Sequence, residues 1–256
     1  MIGIYFSGTG NTKYCVEKFL EAYDADAKAF SIEEDCALHN IEAHEEIVIG
    51  YPVQYSTVPK ILRDYIAAHQ RVWKGKKVFI IVTMGLFSGD GAGVLARLLR
   101  QYGAVIIGGL HLRMPDSICD EKVLKKPLSQ NRLLVINAEL KIQKAVEQWK
   151  KGRPMQEGLG FVSHLTGLFG QRLYFGHKTK DYSDKLKINV GKCVGCGKCV
   201  ELCPMKNLHL AQGKAVPGSR CTMCYRCINE CPAQAITLLG RAVMEQGELG
   251  GICRRD

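Results

Sequence analysis

Apolar residues in the first 150 positions follow two alternating rhythms. Short apolar runs occur at Met1–Phe6, Glu46–Tyr51, Lys77–Thr83 and Ala104–Leu112, with a weaker one at Asp26–Ile32. Between them, apolar residues recur at helical spacing. Val16, Phe19, Leu20 and Tyr23 do so in Asn11–Tyr23, and Val58, Ile61, Leu62, Tyr65 and Ile66 in Val58–Ala67. Gly91–Tyr102 repeats the pattern with Val94, Leu95, Leu98 and Leu99, and Arg132–Trp149 reads as a long closing helix. Strands alternating with helices predict an α/β unit with a parallel sheet. Two stretches break the rhythm. Ser31–His44 reads as acidic and irregular, and residues 113–130 as a long proline-containing connection.

Beyond residue 150 the composition shifts. Lys151-Gly152-Arg153-Pro154 ends the first unit, and glycines recur at 158, 160, 167, 170 and 176. Phe161, Leu165, Leu168, Phe169, Leu173, Tyr174 and Phe175 have helical spacing. They predict a helix packed between domains, with a membrane-surface helix as the rival. The expected organisation is a first domain over 1–150, a linker over 151–186, a second domain over 187–240 and an uninformative polar tail over 241–256.

Eight of the 12 cysteines supply the chemistry of the second domain. They form the runs Cys193-x2-Cys196-x2-Cys199-x3-Cys203-Pro204 and Cys221-x2-Cys224-x2-Cys227-x3-Cys231-Pro232, offset by 28 residues. Three thiolates two residues apart can come from one tight loop and hold three corners of a cubane. The x3 step carries the fourth cysteine away, and the proline stops the backbone from folding back. Structural zinc also uses C-x2-C pairs, but a third thiolate two residues on, followed by C-P, suits it poorly. A disulfide framework suits a small secreted chain better than this one. The runs resemble a bacterial ferredoxin carrying two [4Fe–4S] clusters, in which the fourth cysteine ligates the other cluster. The resemblance implies one set of Cys193, Cys196, Cys199 and Cys231, and another of Cys221, Cys224, Cys227 and Cys203.

The turn Ser7-Gly8-Thr9-Gly10-Asn11-Thr12 follows the first strand and opens a helix. Such a turn aims backbone N–H groups at an anion. It lacks the lysine of a nucleoside-triphosphate loop, and it also suits ordinary helix capping. It resembles the S/T-x-T-G-x-T loop of flavodoxins, which holds the FMN phosphate. That resemblance implies a doubly wound five-stranded parallel sheet of order 2-1-3-4-5 with FMN at its switch point. It also implies that the loops after the third and fourth strands frame the flavin ring. Candidate contacts there are Pro52, Val53, Gln54 and Tyr55, then Thr83, Met84, Gly85, Phe87, Gly89 and Asp90. Tyr55 and Phe87 are the stacking candidates, Tyr55 the better. Gln54 is a candidate ring hydrogen-bonder, and Asp90 reads first as a helix cap. Met114-Pro115-Asp116 is expected near the flavin rim. Cys15, Cys36, Cys119 and Cys253 have no partner motif, and Cys119 is the one candidate for reactivity.

A formal charge of +10 invites a nucleic-acid reading. Two oxidised clusters and a flavin phosphate would lower it to roughly +4, so no nucleic-acid partner is expected. The rest gathers at Lys178, Lys180, Lys185, Lys187 and Lys192. No apolar run reaches the roughly 18 residues of a membrane span, and a soluble, cytoplasmic protein is expected. The whole resembles the flavodoxin–ferredoxin fusion family of anaerobes, a flavodoxin-like sheet followed by a small α+β ferredoxin domain. The resemblance implies electron transfer between FMN and two [4Fe–4S] clusters, with redox proteins as partners and a homodimer left open. The alternative is an FMN-dependent reductase of a small molecule, refilled through the clusters. No second nucleotide fingerprint is present, so no NAD(P)H site is expected.

Overall fold

The computed structural model describes residues 1–160 and 185–246. Five parallel strands build the first sheet in the order β2-β1-β3-β4-β5. They are β1 (Ile2–Tyr5), β2 (Ala29–Ser31), β3 (Glu46–Pro52), β4 (Lys77–Met84) and β5 (Val105–Arg113). Alternation along β4 shows how both faces are buried. Val78, Ile80 and Val82 enter one core with Leu62, Ile66 and Leu95. Phe79 and Ile81 enter the other with Val16, Phe19 and Ile142. The first core is closed by α2 (Ala37–Ala43), α3 (Lys60–Ala68) and α4 (Gly91–Gln101), the second by α1 (Asn11–Tyr23) and α5 (Leu128–Lys150). Because the strands are parallel, the loops after β1, β3, β4 and β5 gather at one edge.

Three expectations change. Ser31–His44 is not wholly irregular, since α2 occupies its second half with Ala37 and Ile41 buried. One turn of apolar residues is too short to show a period. The last helix starts at Leu128, directly after Pro127, because a proline at a helix start forfeits no intrahelical hydrogen bond. The chain also does not leave the first sheet at residue 150. Gly109 N–H donates to Met155 O at 2.8 Å and Glu157 N–H to Gly109 O at 2.9 Å, which lays residues 155–157 along β5.

The C-terminal lobe pairs β6 (Lys187–Ile188) with β9 (Ile236–Thr237) and β7 (Leu208–Ala211) with β8 (Lys214–Pro217), both antiparallel. Two one-turn helices, α6 (Lys198–Glu201) and α7 (Arg226–Asn229), follow the cysteine loops. Its core gathers Leu186, Leu208, Tyr225, Ile228, Ile236 and Leu238, with Cys119 inserted from the connection after β5. The apolar segment 161–175 lies outside the described residues. The tail expected to be uninformative is tied down as far as Gln246, whose side-chain amide donates to Ile228 O at 2.9 Å and Cys231 O at 2.7 Å.

His111 on β5 is a buried group outside the cleft. Its Nδ1 lies 2.8 Å from Ser88 Oγ, and its Nε2 accepts from Ala92 N–H at 3.5 Å. Protonation would set Nε2–H against that N–H. Burial pushes the imidazole down to about 4, against an opposing pull from Glu157. A depressed folded value makes the unfolded chain the better proton binder between the two values. Stability is therefore complete above about pH 6.5 and falls as pH drops toward 4, by on the order of 3 kcal/mol. Thermal unfolding of His111→Gln between pH 7 and pH 4.5 should show a shallower fall than the wild type. Equal slopes would show that another group carries the acid sensitivity.

Candidate functional site

The strand-end loops form a cleft of about 850 Å³ of atom-free space, its open mouth included. Ser7, Gly8, Thr9, Asn11 and Thr12 line it after β1, Pro52, Val53, Gln54 and Tyr55 after β3, and Thr83, Met84 and Gly85 at the end of β4. Met114, Pro115 and Asp116 line it with Ser117 and Ile118. Four residues expected at the site lie off the lining. Gly10 is the left-handed N-cap of α1, with φ 96° and its N–H turned to Ser7 Oγ at 3.2 Å. Phe87 is half exposed. Gly89 and Asp90 belong to the start of α4, where the buried Asp90 carboxylate binds Arg97 at 2.7 Å and makes no side-chain cap.

The hydroxyls of the first loop are already engaged. Thr12 and Thr83 share a hydrogen bond of 2.7 Å, and Thr9 and Ser117 one of 2.5 Å. The Asn11 amide donates to Pro115 O at 2.7 Å, while its buried Oδ1 has no partner among the described residues. Tyr55, on the cleft wall, and the buried Ser56 after it both hold left-handed backbone, φ 47° and 56°. A Cβ on Gly85 would stand 2.1 Å from Asp116 Oδ2, so a larger residue there would displace the Asp116 side chain. Burial pushes the Asp116 carboxyl up, against a hydrogen bond from Ile118 N–H.

The far wall of the cleft comes from the other lobe. Met223, Cys224, Tyr225, Leu238 and Leu239 complete the lining. Gln54 does not present its amide to the cleft, because Nε2 donates to Thr222 O at 2.8 Å and Met223 O at 3.1 Å. Arg226 clamps the seam. Its Nη2 donates to Ser7 O at 2.8 Å and to Glu33 Oε1 at 2.7 Å, and its Nη1 to Glu33 Oε2 at 2.8 Å. Tyr225 OH donates to Asp120 Oδ1 at 3.1 Å, and Asp120 Oδ2 accepts from Leu238 N–H at 2.7 Å and Leu239 N–H at 3.0 Å. Asn229 Nδ2 donates to Ser117 O at 3.0 Å. The 114–120 stretch is thus a clasp. Cys119 sits buried inside it, with its thiol pushed up to about 11 by burial, which argues against reactivity.

The eight cysteines divide between two cavities. Cys203, Cys221, Cys224 and Cys227 line one of about 380 Å³. Cys193, Cys196, Cys199 and Cys231 line the other, of about 360 Å³. Each set takes three cysteines from one run and the fourth from the other. Asn207 N–H points to Cys203 Sγ and Ala235 N–H to Cys231 Sγ, both at 3.3 Å. Four thiols ringing a cavity, with N–H donors on the sulfurs, are a donor set that fits a [4Fe–4S] cluster. Burial pushes Cys224 up to about 12, whereas N–H groups of Ala215 and Gly195 draw the near-surface Cys193 down.

The backbone repeats with the cysteines. Left-handed residues fall at Gly195 and Met223, Gly197 and Tyr225, and Lys206 and Gln234, each pair 28 positions apart. The first run uses glycine at two of these positions. The second puts Met223 and Tyr225 there, at a cost of roughly 1–2 kcal/mol each, and both side chains face the cleft lobe.

Residues 2–111 match the family model described as a flavodoxin domain, and residues 185–232 match a 4Fe-4S dicluster domain. The chain fuses a flavodoxin domain to a 4Fe-4S dicluster domain. A 30-residue stretch is 50% identical to Ferredoxin-2 of Desulfomicrobium norvegicum, over 12% of the fusion and 51% of the relative. The fusion thus spans about half the length of the curated relative it matches. Among solved structures, the two-electron-reduced flavodoxin of Megasphaera elsdenii is 20% identical, covering 57% of the fusion and 99% of that chain, with a TM-score of 0.41. The FMN-bound flavodoxin of Fusobacterium nucleatum is 16% identical, covering 59% and 98%, with a TM-score of 0.42. The two domains of the fusion support an FMN and iron–sulfur electron-transfer protein. Among the described residues no helix is long and apolar enough to cross a membrane.

Proposed function

We propose that the fusion passes electrons through three centres in series. FMN occupies the cleft, one [4Fe–4S] cluster is held by Cys203, Cys221, Cys224 and Cys227, and a second by Cys193, Cys196, Cys199 and Cys231. A cluster exchanges one electron and FMN one or two, so the pairing joins single-electron to two-electron chemistry.

One observation carries the order. Met223, Cys224, Tyr225 and Leu238 line both the cleft and the nearer cysteine cavity. None of the described residues lining the farther cavity lines the cleft. The nearer cluster is therefore the flavin's neighbour, and the farther one the terminal that meets other molecules.

Each lining residue has a task in this reading. Backbone N–H groups of Thr9, Asn11 and Thr12, at the start of α1, receive the FMN phosphate. Asn11 Oδ1, buried and without a partner among the described residues, accepts from a ribityl hydroxyl. Tyr55 stacks on the ring. Pro52, Val53, Thr83, Met84 and Gly85 shape its pocket, and Gln54 and Arg226 hold the cluster loop against it. The rival reading is a reductase acting on a small molecule, and it needs room beside the flavin. The ferredoxin lobe walls that space with Met223, Tyr225 and Leu239, which favours the carrier.

Thr9→Asp tests the phosphate assignment. A carboxylate beside the phosphate should weaken FMN retention about tenfold or more through like-charge repulsion in a half-buried loop. The iron content and cluster absorbance of the anaerobically purified protein should stay unchanged, and Thr9→Ser should keep its flavin. Undiminished FMN in Thr9→Asp would sink the assignment.

A further inference from the structure

We infer that the outer end of the ferredoxin lobe docks an acidic one-electron carrier protein. This rests on the order of centres proposed above. Val190, Val194 and Leu210 are 59%, 68% and 46% exposed. Val194 and Leu210 line the cavity of the farther cysteine set, whose Cys196 is itself exposed. Val190 lies on the turn closed by Lys192 and Cys193 N–H groups on Asn189 O, at 3.2 and 2.9 Å, which seats it beside the same loop. Three large apolar side chains thus stand in solvent around the one cysteine cavity that has no wall in common with the flavin cleft.

Charge selects the occupant. Between residues 185 and 217 the chain carries six lysines and one acidic residue, Glu201. A cluster of about −2 leaves this surface positive. Lys198 is held by Glu230, but Lys187 and Lys192, which flank Val190 in the chain, are exposed. An apolar centre with a lysine rim matches the general plan of a small transient interface. Opposite charge steers the encounter, and a few buried apolar contacts fix the pose. Redox encounters sit at the small, weak end of interface sizes, which suits a patch of this extent. The transfer moves one electron from the reduced carrier to the outer cluster. The carrier is oxidised by one electron, the cluster is reduced by one, and no atom or proton changes place.

The test uses the full-length holoprotein under anaerobic stopped flow, with two reductants. The first is a small acidic [2Fe–2S] ferredoxin in its reduced form, and the second the one-electron-reduced form of a viologen bearing a single sulfonate, which is net neutral as the donor. The variant is Val190→Asp/Lys192→Glu, which replaces neither a cysteine nor a residue of the cavity lining. With the ferredoxin, the wild-type rate should fall as salt rises, and the variant should be slower by about tenfold or more at low salt. With the viologen, wild type and variant should agree within about twofold, since a small neutral donor is not steered by surface charge. A wild-type rate indifferent to salt, or a variant as fast as wild type with the ferredoxin, overturns the docking face. In that event viologen would still reduce clusters and flavin, and the order of centres would stand. If viologen reduced no [4Fe–4S] signal in the wild type, the order and the docking face would fall together.

Discussion

Gly8→Ala is expected to part the two lobes while leaving each folded. A Cβ on Gly8 would stand 2.1 Å from the carbonyl oxygen of Cys224, and that oxygen belongs to backbone. No rotamer change can relieve the overlap, so either the phosphate loop or the cluster loop must retreat. Overpacking of this kind costs roughly 1–3 kcal/mol, a tenfold to hundredfold loss of the docked arrangement. The clamp around it gives way at the same point, because Arg226 Nη2 reaches Ser7 O at 2.8 Å only when the loops touch. Flavin and both clusters should remain detectable, while electron exchange between flavin and the nearer cluster slows by about the same tenfold to hundredfold factor. Gly160→Ala is the matched control, since nothing among the described residues lies within 4 Å of a Cβ there. Exchange in Gly8→Ala as fast as in wild type would mean that the seam is not the route. Arg226→Lys should show a milder form of the same defect, since lysine cannot reproduce the fork that binds Glu33 and Ser7 O together.

Cys231→Ala is expected to remove the outer cluster and spare the inner one. By sequence Cys231 closes the second run, yet its thiol lines the cavity of Cys193, Cys196 and Cys199. Cys203→Ala should do the reverse, because Cys203 lines the cavity of Cys221, Cys224 and Cys227. Iron content should fall by about half in each variant. The EPR signal lost in Cys231→Ala should be the one lost in Cys196→Ala. Loss confined to the signal abolished by Cys221→Ala would overturn the crossed sets.

Most of the scaffold was legible in the chain because its signals are local. Helix α1 runs from Asn11 to Tyr23 as its apolar spacing predicts, and β4 fills the apolar run at 77–83 with one residue to spare. The resemblance that the cysteine runs carry implies the same two four-cysteine groups that line the cavities. What stayed hidden is the seam. Arg226 is only a spacer residue between Cys224 and Cys227, and nothing near it marks a partner more than 200 residues away in Ser7. Asp120, inside a stretch that read as mere connection, is satisfied wholly by residues 225, 238 and 239. Gln54 suggested a flavin contact because of its loop, but the carbonyls of Thr222 and Met223 claimed its amide first. The one near-local trace was the replacement of Gly195 and Gly197 by Met223 and Tyr225 at the same repeat positions. A loop that gives up glycine at a left-handed position has something to do with the side chain.

The central claim is that the cluster of Cys203, Cys221, Cys224 and Cys227 adjoins the flavin and the other does not. An anaerobic EPR-monitored redox titration of FMN-loaded and FMN-stripped protein tests it most directly, with Cys221→Ala and Cys196→Ala assigning the two cluster signals. Removing FMN should shift the line shape and midpoint of the signal that Cys221→Ala abolishes, and leave the other unmoved. A shift in the signal that Cys196→Ala abolishes, with the first unchanged, would contradict the order of centres.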